Sequence, residues 1–117
     1  MRVLVTGAAG FIGTHVVELL LTGWAGAGGP GGPGVPPAVP IPAHDLLAVD
    51  DFSAGRTERV AGVAVERLDI TDAAAVAAVF RAFRPEAVIH LAAQVSVERS
   101  LERPDLDVDV NVYGTLN

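Results

Sequence analysis

Three glycines, Gly7, Gly10 and Gly13, recur at three-residue spacing between an apolar run and an amphipathic one. Arg2 to Thr6 reads as a short buried strand, and Phe11 to Thr22 reads as a helix. A strand that passes through a glycine-rich turn into a helix forms a phosphate cradle. The glycines let the backbone turn tightly and approach a ligand, while the free N–H groups and positive dipole end of the helix face the anion. A side chain at Gly10 or Gly13 would block that approach or the packing of helix on strand. The alternative is a tight turn with no ligand; the strand before and the helix after are the context the cradle requires.

A second chemical group stands at Asp50-Asp51, which closes the apolar run Asp45 to Val49. In dinucleotide folds an acid at the tip of the second strand hydrogen-bonds the adenosine ribose, about 20 residues after the glycines. Asp50 follows Gly13 by 37 positions, and the stretch Ala25 to Ile41 accounts for 17 of them. Asp50 ends the strand and is the better candidate; Asp51 begins the turn that follows. The alternative for Asp50 is a capping or turn aspartate.

The intervening stretch, Trp24 to His44, holds six glycines and six prolines in 21 positions. Proline removes donors and glycine raises the entropic cost of ordering, so neither helix nor strand is expected there. It reads as a surface insertion, about residues 24–44, that costs little stability; a Pro-rich recognition motif is the other reading.

The remaining elements must hold these groups in place. In the first helix, Thr14, His15, Glu18 and Thr22 fall on one side and Phe11, Val16, Leu19 and Leu20 on the other, which predicts a helix packed on a sheet with His15 toward solvent. Gly23 supplies its stop. Phe52 to Arg56 reads as a loop, with Arg56 solvated or near the acidic pair. Val63 to Leu68 is a third strand. Thr71 or Asp72 can cap the next helix, which runs to about Arg84 with Ala74, Ala75, Val76, Val79, Phe80 and Phe83 as its apolar face, and Pro85 ends it. Glu86 to Gln94 is a fourth strand ending in small residues, where a ligand can come close to the backbone. His90 reads as a packed, hydrogen-bonded strand residue. A helical turn is expected around Ser96 to Leu101. Pro104 suits the first turn of a last helix, with Asp105 and Asp107 near its positive end. Together with Asp109 these acids read as a solvated face.

Strands alternating with helices imply an α/β fold, a doubly wound parallel sheet with right-handed crossovers, here with about four strands. A ligand would lie across the C-terminal edge of its strands. The 117 residues suffice for one small domain, half of them hydrophobic. A net charge of −6 argues against nucleic acid or an anionic membrane as partner. There is no cysteine, and the three histidines lie far apart, so no metal site is expected. The N-terminus lacks a signal peptide's layout and no apolar run approaches a membrane span, so a cytoplasmic protein is expected.

Five segments together resemble the extended short-chain dehydrogenases/reductases, the NAD-dependent epimerases/dehydratases, most like the UDP-glucose 4-epimerases. They are Thr6-Gly7-x-x-Gly10-Phe11-Ile12-Gly13, Asp50-Asp51-Phe52-Ser53-x-Gly55, Asp69-Ile70, His90-Leu91-Ala92-Ala93-Gln94 and Asn111-x-x-Gly114-Thr115. The resemblance implies a Rossmann-type NAD-binding domain. It implies that Asp50, Asp51, Ser53 and Gly55 enclose the adenosine half of NAD. Asp69 and Ile70 would sit against the adenine, though Asp69 alone also fits a turn. Leu91, Ala92, Ala93 and Gln94 would lie beneath the nicotinamide ribose, with Asn111 on the following helix.

In that family, catalysis uses a Tyr-x-x-x-Lys pair. All eight basic residues here are arginine, and four positions after the single tyrosine, Tyr113, stands Asn117. The expectation is a partial NAD-binding domain, residues 1–117, corresponding to the N-terminal part of a longer enzyme acting on nucleotide-activated sugars, a possible homodimer when whole, with no catalytic residue in this chain. An extended reductase of a non-sugar carbonyl and a non-enzymatic NAD-binding module are the other readings.

Overall fold

The computed structural model describes residues 1–22, 44–54 and 58–117. The expected helix stop at Gly23, the Gly/Pro-rich stretch up to Ala43, Gly55 and Arg56 lie outside the described residues. The elements run β1 (Arg2–Thr6), α1 (Phe11–Thr22), β2 (Asp45–Asp50), β3 (Arg59–Val60), β4 (Val63–Arg67), α2 (Ala73–Phe83), β5 (Ala87–His90), α3 (Val97–Glu102) and α4 (Pro104–Asp107). After α4 the backbone winds on as a wider π-type helix, Val108–Gly114.

The sheet order is β3-β4-β2-β1-β5. The four expected strands are all present and all parallel, the fourth ending at His90 and not at Gln94: β1 pairs β2 from Arg2↔Asp45 to Thr6↔Val49 and pairs β5 from Val3↔Ala87 to Thr6↔His90, while β2 pairs β4. The chain therefore winds outward from β1 through β2 to β4, then returns to the far side of β1 for β5. The reversal between β1 and β5 is a topological switch point, where ligands of open α/β sheets bind.

β3 was not expected. It is a two-residue antiparallel strand joined to β4 by Ala61-Gly62, both with positive φ (48° and 89°). Two consecutive positive-φ residues make the hairpin turn whose twist matches paired strands, and the Arg59 guanidinium closes it on the Gly62 carbonyl.

Side-chain alternation divides the core between the two faces of the sheet. Val3, Val5, Ala48 and Val65 bury beneath α1 with Ala8, Ala9 and Val17, flanked by Val16, Leu20 and Phe52. Leu4, Val49, Leu68 and Val76 bury beneath α2, flanked by Val79 and Phe83. Val3, Leu4 and Val5 are at most 1% exposed; side chains of this size contribute roughly 1.5–3 kcal/mol each when fully buried. β1 is covered on both faces, as central parallel strands are.

Two parts of the predicted helix faces differ. Phe11 is 85% exposed, because it opens α1 before the helix reaches the sheet; its ring instead packs at a tilt on exposed His15, 5.1 Å between centroids. On α2, Ala74 is exposed and Phe80 is half-exposed, so the buried stripe centres on Val76. The Asp72 carboxylate caps α2 by accepting from the Ala75 amide at 3.0 Å, and Arg84 ends it in a left-handed conformation.

Outside the helices, Arg2 and Glu86 lock the start of β1 to the start of β5. The Arg2 amide donates to Glu86 Oε2 at 2.7 Å. That bond, followed by the Arg2 charge, holds the Glu86 carboxyl below its ordinary value.

Among the described glycines, Gly13 leaves the least room for a side chain. A Cβ on Gly13 would lie 2.1 Å from the Gly7 carbonyl oxygen, a contact that only backbone movement relieves. Gly13→Ala is expected to destabilise the protein by at least about 1–3 kcal/mol, the usual cost of overpacking, read as a lowered thermal midpoint; an unchanged midpoint would show that the turn yields.

Candidate functional site

The glycine turn orders its own amides. Ala8 N–H donates to the Val49 carbonyl at 3.1 Å and Gly10 N–H to the Gly7 carbonyl at 3.2 Å. Ala9 N–H donates to Asp50 Oδ2 at 2.9 Å. Phe11, Ile12 and Gly13 then open the first turn of α1, where a helix has no carbonyls of its own to offer its amides. No acidic residue stands in that turn, so its positive end is left to an outside anion. Phe11 and Ile12 stand exposed at its mouth, at 85% and 62%.

The three glycines divide by role. Gly7 has φ 69°, and a Cβ there would meet the Leu91–Ala92 backbone at 2.6 Å. Gly13 is pinned by the contact with Gly7. At Gly10 a Cβ would meet only the Gly7 carbonyl oxygen, at 3.3 Å, a close contact but the mildest of the three. Protein packing explains Gly7 and Gly13 outright; at Gly10 it constrains one side and leaves the rest of the space for a ligand to reach the backbone. That is the fit a dinucleotide's pyrophosphate requires.

Asp50 is 9% exposed. Its Oδ1 accepts from Phe52 N–H at 2.8 Å while Oδ2 accepts from Ala9 N–H. A carboxylate has about four acceptor sites, so two protein bonds satisfy the buried charge in part and leave acceptor capacity. Asp51 is engaged differently: its Oδ1 accepts from the Ser53 amide at 2.8 Å and the Ser53 hydroxyl at 2.7 Å. Asp51 and Ser53 thus stabilise the turn after β2.

Asp69 is exposed at the end of β4, its Oδ1 accepting from the Thr71 amide and hydroxyl at 2.9 and 2.7 Å. The Ile70 side chain is buried, at 7% exposure, and packs against the π segment at Gly114, where a Cβ would come within 2.7 Å of Ile70 Cδ1. Asn117 Nδ2 donates to the Ile70 carbonyl at 3.0 Å. The side chain of Ile70 is therefore committed to packing.

At the end of β5, Thr6 supplies a polar group that sequence reasoning left out of the site. Its hydroxyl oxygen accepts from the Leu91 and Ala92 amides at 3.2 and 3.3 Å and lies 2.7 Å from His90 Nδ1. Thr115 spends its hydroxyl proton on the Asn111 carbonyl at 2.8 Å, so His90 Nε2, 3.1 Å from that oxygen, is assigned as donor. Nδ1 then accepts from Thr6. His90 is hydrogen-bonded as expected but exposed rather than packed, because it closes β5 at the edge of the sheet. The signal for Thr6 was a hydroxyl closing an otherwise apolar strand.

Gln94 and Asn111 meet as neighbours. The Gln94 amide donates to Asn111 Oδ1 at 2.8 Å, and Asn111 Nδ2 returns a bond to the Gln94 carbonyl at 3.0 Å. The Gln94 side chain bonds Ser96, Ser100 and Asp107. Both residues fasten the β5–α3 connection to the π segment. Asp107 is thereby drawn out of the expected solvated acidic face, and Asp105 pairs with Arg103 at 2.6 Å. Among the described residues no cluster of three or more His, Asp or Glu could hold a metal.

Taken in sheet order, Asp69-Ile70 follows β4, Asp50 ends β2, the glycine turn follows β1 and Leu91-Ala92-Ala93 follows β5. Candidates spread from residue 7 to residue 93 thus stand along one strand edge.

The chain is 37% identical to the UDP-glucose 4-epimerase of Mycolicibacterium smegmatis, covering 99% of this chain and 33% of that protein. It is 34% identical to dTDP-glucose 4,6-dehydratase 1 of Escherichia coli K12, covering 98% of this chain and 29% of that protein. Among solved structures, the Thermus thermophilus UDP-glucose 4-epimerase in complex with NAD matches with TM-score 0.73 and 41% identity, covering 99% of this chain and 32% of that one. This chain spans about a third of the length of the relatives it matches. The model of the NAD dependent epimerase/dehydratase family matches residues 3–117, and with the sheet, glycine turn and strand-tip acid in place this chain belongs to that family.

Proposed function

We propose that residues 1–117 form part of an NAD-binding domain, interrupted at about residues 24–44, of an epimerase or dehydratase that acts on nucleotide-activated sugars. The observation that carries this reading is the buried Asp50 carboxylate, bonded to the glycine turn yet keeping acceptor capacity beside an open helix N-terminus. The names of the relatives support the substrate class.

In this reading the first-turn amides of α1, including Phe11 and Ile12, hold the pyrophosphate. Asp50 accepts from the adenosine ribose hydroxyls, and the exposed Asp69 and the Ile70 backbone border the adenine. Leu91, Ala92 and Ala93 underlie the nicotinamide ribose, with Thr6 fixing the Leu91 and Ala92 amides. Asp51, Ser53, Gln94 and Asn111 take part by holding these loops. NAD, when bound, supplies a hydride acceptor and donor. This chain's residues bind and orient it. The Tyr-x-x-x-Lys acid–base pair is not among them, since the single tyrosine, Tyr113, is followed four positions on by Asn117 and not by lysine. No described helix is long and apolar enough to cross a membrane; the reading takes the protein to be cytoplasmic and the whole enzyme to be a homodimer.

A 2′-phosphate would meet the Asp50 charge, so NAD is expected to bind more tightly than NADP. Asp50→Asn should weaken NAD binding by roughly 10- to 100-fold, the worth of charged hydrogen bonds, and narrow the preference over NADP; titration of both nucleotides measures this, and tighter NADP binding by the native protein would count against Asp50. Gly10→Ala separates ligand from packing. It should lower the thermal midpoint far less than Gly13→Ala, because its one contact with the Gly7 carbonyl oxygen, at 3.3 Å, needs a shift of only a few tenths of an ångström, while weakening NAD; unaltered NAD affinity would place the pyrophosphate elsewhere. Residues 1–117 alone should show no turnover of UDP-sugars and only weak NAD binding, because the missing acid–base help is worth roughly 10²–10⁴ in rate; measurable turnover in an epimerase assay would mean that catalytic residues lie within this chain.

A further inference from the structure

The residue after the acidic pair is held against its own preference. Phe52 has φ 61°, in the left-handed region that a side chain with a Cβ disfavours. Such a conformation persists only where the surroundings over-determine it, and it recurs at ligand sites. The Phe52 amide bonds Asp50 Oδ1 at 2.8 Å, so the shape of this turn and the rotamer of Asp50 are coupled. The Phe52 side chain also packs against the core cluster beneath α1.

The third support comes from the neighbouring strand. Arg67 ends β4 in register with Asp50. Its Nη1 donates to the Asp51 carbonyl at 2.8 Å, and its guanidinium carbon lies 5.0 Å from the centroid of the Phe52 ring, within cation–π distance. One planar group thus grips both residues that follow Asp50, the first by a hydrogen bond and the second by its aromatic face. A lysine could make either contact but lacks the flat fork that makes both. Asp51 cannot take over the task, because its carboxylate is bonded to Ser53.

Resting on the reading of Asp50 as ribose acceptor, we propose that Arg67 is a positioning residue for the Asp50 carboxylate and thereby sets how strongly the site discriminates for the adenosine 2′-hydroxyl. Arg67 holds the Asp51–Phe52 turn, the turn's amide holds Oδ1, and the remaining lone pairs keep one direction. Loss of Arg67 frees the turn to relax toward negative φ, and the Phe52 amide leaves Asp50.

The test is the affinity ratio between NAD and its 2′-deoxyadenosine analogue, measured by titration of the protein with Arg67, Arg67→Ala, Arg67→Met and Asp50→Asn. The native protein should prefer NAD by roughly tenfold, the worth of one charged hydrogen bond. In Arg67→Ala the ratio should fall to within about threefold of unity, as only part of that bond's worth survives misalignment. Arg67 is itself exposed, but its loss also costs the Phe52–Asp50 bond, so the variant should melt below the native protein and is titrated at a temperature where it is folded. Should the alanine variant fail to fold, Arg67→Met keeps the apolar stem, removes both contacts and is read by the same ratio. A purely structural role would weaken both ligands equally and leave the ratio untouched. A ratio kept in the folded Arg67 variants but lost in Asp50→Asn overturns this proposal alone; no preference in the native protein overturns the ribose reading of Asp50 and this proposal with it.

Discussion

A buried carboxylate joins the two parts of this site. Asp50 lies at the tip of β2, and its bond to the Ala9 amide crosses 41 positions of sequence to the turn after β1. A carboxylate taken out of water is costly unless hydrogen-bonded. The glycine turn supplies one donor and the Phe52 turn the other. Charged hydrogen bonds contribute roughly 1.5–3 kcal/mol each, so the arrangement ties the glycine turn to β2 and stiffens both. The group that stabilises the turn also keeps acceptor capacity, so in the proposed reading binding and folding draw on one side chain.

The turn itself is shaped by contact rather than by charge. Gly7 and Gly13 are glycine because backbone atoms occupy the space of a Cβ. That closeness brings α1 onto β1 and β5, placing the first-turn amides over the switch point where the sheet reverses direction. The opposite face is organised by polar links. Thr6, His90, Thr115 and Asn111 form a hydrogen-bonded chain from β1 through β5 to the π segment, and Asn111 passes it on to Gln94. In the π segment Thr115 N–H turns to the Val112 carbonyl, so the Asn111 carbonyl is met by the Thr115 hydroxyl. The backbone from Leu91 to Gln94 is thereby fixed from both sides.

Local sequence determined the elements. An apolar run marked each of the four parallel strands; in β1 it follows from cover on both faces, whereas β4 and β5 are only partly covered and keep exposed positions such as Glu66 and Val88. The aspartate at position 72 and the proline at position 104 set helix starts through groups that act within a single turn. The glycine spacing was legible for the same reason, and Asp50 was legible because a strand's end is marked by where its apolar run stops. The β3–β4 hairpin had a local signal too, Ala61-Gly62 between Val60 and Val63, but its strand is only two residues long.

Only the tertiary structure decided which polar groups meet. That Asp50 faces the glycine turn depends on strand register, whereas Asp51 folds back on Ser53 through a local bond two positions on. Phe11 left the predicted apolar face because the helix begins before it reaches the sheet. Ile70 and Gln94 became packing and fastening residues once the π segment closed over them. Arg67 carried no signal at all: an arginine ending a strand reads as solvated until the adjacent strand brings a carbonyl and an aromatic ring within its reach. Period and spacing fix what a segment is, since those forces act over a few residues. Which side chains share a site is fixed by the pairing of strands far apart in the chain, and no local pattern encodes that.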